Sequence, residues 1–153
     1  MEVTGSSPVS SSFIPYSDMN LFEEYIKANS LDIELIETDE STRTAQDAAN
    51  THNVPVSNIV KSLLTKVGDN FVLYLVPGDK RLDLGNIGGR MANADEVKDI
   101  TGYSIGGVPP FGHTTKLETH IMDGFDSSKT LLAAGGKPNI IFKITLEKLK
   151  SLI

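Results

Sequence analysis

The sequence predicts an α+β fold: a compact mixed, largely antiparallel β-sheet or barrel flanked by helices. Three observations lead there. Two hairpin signals occupy the middle and late chain: residues 59–67 with 71–76 across Gly68-Asp69-Asn70, and 131–134 with 140–144 across 135–139. Helix starts marked by capping residues lie at both ends of the chain and between the hairpins. No internal repeat runs through the chain, so the strands serve one sheet rather than an array.

Residues 1–12 are rich in serine (Ser6, Ser7, Ser10, Ser11, Ser12) and show no periodicity. A disordered leader is expected over 1–17, followed by a single domain over 18–153. Asn20 suits an N-cap, with Glu23 reaching back, for a helix through Ala28 whose apolar face is Leu21, Phe22, Tyr25 and Ile26. Residues 32–37 alternate around Ile33 and Leu35 and read as a strand. Thr44, with Asp47 behind it, caps a short helix that turns Ala45, Ala48 and Ala49 inward. Residues 71–76 are almost continuously apolar, which marks a central strand ended by Pro77-Gly78-Asp79. Residues 82–87 read as a helical turn stopped by Gly88-Gly89. Asn93 and Glu96 open a helix through Ile100. A Gly-Pro loop over 102–113 follows, then a strand-like pattern over 114–122. Thr145 caps a last helix with Leu146, Leu149, Leu152 and Ile153 as its buried stripe.

At 153 residues, 39% hydrophobic and 22% charged, the chain has the composition of a soluble globular protein with one core. No apolar run approaches the roughly 20 residues that span a bilayer. No signal-type segment opens the chain, and a cytoplasmic location is expected. There is no cysteine, which excludes disulfides and thiolate nucleophiles. A net charge of −6 argues against wrapping nucleic acid through phosphate contacts alone. The acids are concentrated early, however. Up to Asn50 ten acids face only Lys27 and Arg43, whereas beyond it twelve bases face ten acids. The later part is compatible with a modest contact to an RNA end.

The usual hydrolytic and cofactor signatures are missing. There is no Gly-x-Ser-x-Gly, P-loop or dinucleotide glycine motif, and Gly85, Gly88 and Gly89 lie too close together after no strand. His52, His113 and His120 lack metal-ligand spacing, so neither a metal nor a cofactor is expected. Two stretches stand out. The 102–113 loop holds four of the thirteen glycines and two of the seven prolines. Glycine permits close backbone approach and proline stiffens, so such a loop either presents bare N–H groups to an oxygen or connects two elements rigidly. Lys61 stands alone in an otherwise apolar run. It either faces water or reaches a carboxylate, carbonyl or ligand, because an unpaired buried ammonium is costly. Alternation puts Val60 and Ser62 on one face and Lys61 and Leu63 on the other.

In chain order, the informative pieces are Ala48-Ala49, Val60-Lys61-Ser62-Leu63-Leu64, Gly78-Asp79, Thr101-Gly102-Tyr103, the loop from Gly106 to His113, Asp123 and Ala133-Ala134-Gly135-Gly136. Together they resemble the YbaK family of aminoacyl-tRNA editing domains, which includes the editing insertion of bacterial prolyl-tRNA synthetases. The resemblance covers residues 20–153. Its specific part is the order and spacing of the lysine strand and the Gly-x-x-x-Pro loop, Gly106 to Pro110.

The resemblance implies a compact mixed β-barrel with flanking helices. It implies a free-standing deacylase that hydrolyses the ester of a mischarged tRNA by water attack, assisted by a ribose hydroxyl of the substrate; that would account for the missing triad. Lys61 would line the pocket, holding the terminal phosphate or stabilising an oxyanion. Gly106 and Gly107 would turn N–H groups to the carbonyl, with Val108 beside them and Pro110 holding the loop shape. His113, present in only some members, would donate to the ester or ribose, or else sit in the loop facing solvent. Asp123 would pair with Lys61 or bind the amino group, or else form a plain Asp-Gly turn. Gly135 would line the pocket floor or simply turn the chain. Selectivity would come from pocket volume, where one methylene is worth about 1–3 kcal/mol, favouring alanine, cysteine or serine. The expected partners are the 3′ end of a mischarged aminoacyl-tRNA and an aminoacyl-tRNA synthetase, with no DNA and no membrane. Two alternatives stay open: a non-catalytic module that binds tRNA ends or a synthetase, and a small-molecule ester or amide hydrolase.

Overall fold

The computed structural model describes residues 20–40, 42 and 44–153; the leader expected over 1–17 lies outside them. Among the described residues five α-helices and seven strands follow one another, with a 3-10 turn (Val56–Asn58) leading into β2: α1 (Leu21–Ala28), β1 (Leu35–Glu37), α2 (Ala45–His52), β2 (Ile59–Val67), β3 (Asn70–Pro77), α3 (Leu84–Ile87), β4 (Gly89–Met91), α4 (Ala94–Thr101), β5 (Glu118–Ile121), β6 (Thr130–Ala134), β7 (Ile140–Thr145) and α5 (Leu146–Ser151). The strands form one sheet in the order β1-β7-β6-β2-β3-β5, with β4 paired to β2. Its pairs are antiparallel except β2 with β6 and β3 with β5. The ends of this path, β1 and β5, do not pair, so the sheet is an open α+β sheet rather than a closed barrel.

Both hairpins form. Val67 pairs with Asn70 across a two-residue turn whose Gly68 has φ 62, and Ala134 pairs with Ile141 in the second. β3 lies between β2 and β5, inside the sheet. The caps also form: Phe22 N donates to Asn20 Oδ1 at 3.1 Å, Asp47 N to Thr44 Oγ1 at 3.0 Å and Lys148 N to Thr145 Oγ1 at 3.2 Å. Asn93 and Glu96 make a reciprocal capping box, 2.9 Å in each direction.

Period-2 alternation gives the sheet two buried faces. Val60, Leu64, Leu131, Ala133, Phe142 and Ile144 enter the main core with residues from α1, α4, α5 and the Gly-Pro loop. Ile59, Leu132 and Ile141 face the other way and meet Ala48 and Ala49 of α2.

Four details differ from expectation. The early strand is only Leu35–Glu37, because it finds a partner only in the three residues Ile140 to Phe142 of β7. The strand expected over 114–122 is only Glu118–Ile121; Thr114 N instead donates to Thr101 O at 3.1 Å, tying the loop back to α4. Gly88 does end α3, at φ 68, but Gly89 opens the unforeseen β4. Ile153 lies beyond the end of α5 and is 46% exposed, so the buried part of that stripe is Leu146 and Leu149.

Candidate functional site

β2 parts from β6 after two paired residues. Ile59 and Val60 face Leu132 and Ala133, and from Thr65 onward the same edge of β2 is taken by β4. Ala92 N donates to Leu64 O at 3.0 Å, closing the ladder from the far end. Over residues 61–63 that edge has no strand neighbour, and a cavity of about 340 Å³ lies in the fork. Ala45 and Ala48 of α2 wall it on one side. Val97, Ile105, Gly106 and Val108 wall it on the other, and β6 supplies residues 132–134. The lining is mostly apolar. Lys61 is its only ionisable residue among the described ones. Ser62 also lines it, with a buried Oγ that has no hydrogen-bond partner.

Lys61 Nζ donates to the carbonyl of Lys80. Burial pushes its ammonium below the usual lysine range, the neighbouring Arg81 pushes it further, and Asp79 opposes both. Its hydrogen-bond partner is thus a main-chain carbonyl. Asp123 lies exposed past the end of β5 and does not line the cavity.

The Gly-Pro loop is braced from within. Gly106 reaches the cavity with φ 92, a left-handed backbone that favours glycine. Gly107 is committed elsewhere: its N–H donates to Ser104 O at 3.0 Å and its carbonyl accepts from Gly136 N at 2.9 Å. A Cβ on Gly107 would lie 2.9 Å from Lys137 Cα, so the loop packs backbone to backbone on the 136–137 turn. Val108 lines the cavity, whereas Pro110 is fully buried away from it. Phe111 anchors the loop among rings, 5.4 Å from Phe22 and 5.8 Å from Phe142. Tyr103 Oη donates to Gly112 O at 2.8 Å, and His113 Nε2 donates to Pro109 O at 2.7 Å. Burial lowers the His113 pKa, with the Pro109 bond opposing it. His113 therefore holds the loop from behind and does not line the cavity. Gly135 supports the same region: its N–H donates to Ile140 O at 2.8 Å and its carbonyl accepts from Asn20 Nδ2 at 3.2 Å.

The chain as a whole has counterparts among known proteins. A family model described as an aminoacyl-tRNA editing domain matches residues 39–152. The chain belongs to that family. Among relatives of this editing domain, the uncharacterized protein YwhH of Bacillus subtilis (strain 168) is 31% identical over 123 residues, covering 76% of this chain and 78% of its own length. Proline–tRNA ligase of Thermosipho africanus (strain TCF52B) is 40% identical over 79 residues, 47% of this chain. The match spans only 14% of that ligase's length. A crystal structure provisionally described as a trans-editing enzyme for prolyl tRNA synthetase is 34% identical, with a TM-score of 0.79 over 92% of this chain and 93% of its own.

Several cavity residues of the editing domain escaped sequence reasoning. Ala45 and Ala48 do pack against the sheet, but they also wall the cavity. Met91 and Ile105 line it while 41% and 48% exposed, and only their placement marks them, because single exposed apolar residues are common. Ser62 did carry a signal: a hydroxyl on the same face as Val60 and Leu64, which turned out to be a core face.

Proposed function

We propose that this editing domain acts in trans as a deacylase, hydrolysing the ester between a small, wrong amino acid and the 3′ end of a proline-type tRNA. The observation that supports it best is the fork cavity, apolar within and bordered by Lys61 and Gly106. In this reading the aminoacyl side chain enters the fork. The ester carbonyl lies by the Gly106 backbone and the Lys61 ammonium, which stabilise the oxyanion as water adds. The bond from the carbonyl carbon to the ribose oxygen then breaks, and the ribose oxygen leaves with a proton. The described lining offers no side-chain base, so a ribose hydroxyl of the substrate orients the water, taking its proton as it passes its own to the departing ribose oxygen. Val108 bounds the pocket. Gly107, Pro110, His113 and Gly135 act by holding the loop and the turn beneath it. Asp123 would touch only the outer part of the substrate. The tRNA arrives free or is handed over by a synthetase.

The absence of a side-chain base among the described lining residues also favours a second reading, a module that binds tRNA ends without turnover. Release of amino acid from Ala-, Cys- and Ser-tRNA(Pro) by the wild type and Lys61→Ala separates them. The deacylase releases one amino acid selectively, and Lys61→Ala loses about 10²–10³ of the rate. Retained tRNA binding with no release from any member favours the module.

A further inference from the structure

Four polar side chains line the fork cavity among the described residues: Thr42, Thr44, Lys61 and Ser62. Three have partners within the chain. Thr42 Oγ1 donates to Pro138 O at 2.8 Å, Thr44 Oγ1 accepts from Asp47 N at 3.0 Å, and Lys61 Nζ donates to Lys80 O. Ser62 Oγ is buried and has no partner among the described residues. Folds keep few buried polar groups unpaired, because each costs stability. Packing gives no reason for a hydroxyl here. Ser62 shares a sheet face with Val60 and Leu64 of the main core and pairs across the ladder with the buried Leu75. An alanine would sit there without an orphaned group. The face also sets the direction. Val97 and Val108 belong to the same core as Val60 and Leu64, so Ser62 faces the wall of the fork built by α4 and the Gly-Pro loop. Lys61 shares the opposite face with Ile59, which meets Ala48 of α2. An aminoacyl group whose carbonyl lies by Gly106 therefore carries its side chain past Ser62. Only χ1 moves Oγ, so a single rotation aims the hydroxyl at an occupant of the fork.

We propose that Ser62 reads the side chain of the edited amino acid and that this side chain carries a hydroxyl, so that the seryl ester is preferred to the alanyl one. A hydroxyl both donates and accepts, so a seryl Oγ pairs with Ser62 Oγ in either direction. A thiol pairs weakly and a methyl not at all. An alanyl group would leave Ser62 unpaired in a filled fork, and a site that hydrogen-bonds a substrate hydroxyl disfavours the analogue lacking it for that reason. Pocket volume then sets the upper size, and Ser62 sets the chemistry within it. The inference rests on the deacylase reading for the ester, but half of its test needs no turnover.

The test compares the wild type with Ser62→Ala on Ser-tRNA(Pro) and Ala-tRNA(Pro). The same two chains are titrated with seryl and alanyl analogues of these tRNAs in which an amide replaces the ester. In the wild type, kcat/KM for the seryl ester should exceed that for the alanyl ester about tenfold. In Ser62→Ala that ratio should fall to about one. The amide analogues should show the same split in Kd. Ser62→Ala should melt no lower than the wild type, since it removes a hydroxyl that pairs with nothing in the fold. The proposal is overturned if the wild type prefers serine in neither assay. It is also overturned if Ser62→Ala keeps the ratio, whether both substrates fall together or neither does; a joint fall would set Ser62 against a group that the two amino acids share. A clearly lower Tm for Ser62→Ala overturns it too, by giving the hydroxyl a structural partner. Failure of the deacylase reading shows separately, as no release from either tRNA. A seryl preference among the amide analogues that depends on Ser62 then still supports the assignment, and its absence overturns it.

Discussion

Lys61 is poised by its surroundings rather than by a carboxylate partner. Burial and Arg81 lower its pKa from 10.5, so the folded chain gives up this proton before the unfolded chain does. Between the lowered value and 10.5 the unfolded state binds more protons, and this residue's contribution to stability rises with pH across that window. Catalysis that uses the cation runs the other way. The rate of deacylation, corrected for spontaneous ester hydrolysis, should fall as pH rises through a value below 10.5, and Lys61→Arg should abolish that fall because a guanidinium does not titrate there. A pH–rate profile flat up to 10.5 would remove the cation from the mechanism. Lys61 and Gly106 were legible in the sequence because a lysine in an apolar run and a doubled glycine before two prolines are unusual. Met91 and Ile105 were not, since each is an ordinary residue type whose meaning comes from where the fold puts it.

The helix caps were legible because their signals are local. The capping box of α4 is one, and Arg90 extends it, reaching both Glu96 carboxylate oxygens at 2.8 Å. These bonds hold the Glu96 carboxyl at about 2, against 4.5 for a free one. A depressed acid stabilises the fold above 4.5, and the contribution is lost as pH falls towards about 2. Urea denaturation across that range should show a steeper loss for the wild type than for Glu96→Gln; equal slopes would mean the pair contributes nothing. Asn20 illustrates what local signals omit. Its cap was readable, but its bond to the Gly135 carbonyl spans 115 residues. Asn20→Ala should cost about 1 kcal/mol in a denaturation series. Asn20→Asp keeps the cap and loses the donor, so it should stay closer to wild type in stability yet still slow deacylation by loosening the turn on which Gly107 rests. β4 escaped notice because three residues carry no alternation to read.

The sheet as a whole was only partly readable. Hairpins declare themselves through their turns, so β2–β3 and β6–β7 could be assigned without the structure. The order in which they meet could not, because the β2–β6 contact joins segments far apart in sequence over two residue pairs. The fork cavity exists only through that contact. Hence the lysine and loop could be nominated, while the walls that give them a chamber could not. The same contact has a consequence for synthesis. A ribosome working from the first residue to the last delivers the lysine strand, its hairpin partner and the Gly-Pro loop before it delivers the strand that floors the fork. Until Thr130 and its successors emerge, the Ile59–Val60 end of one flank of β2 stays bare, an apolar edge open to pairing with another nascent chain. A protein proposed to guard the accuracy of translation would therefore be unable to act until the strand that completes its own pocket had itself been translated.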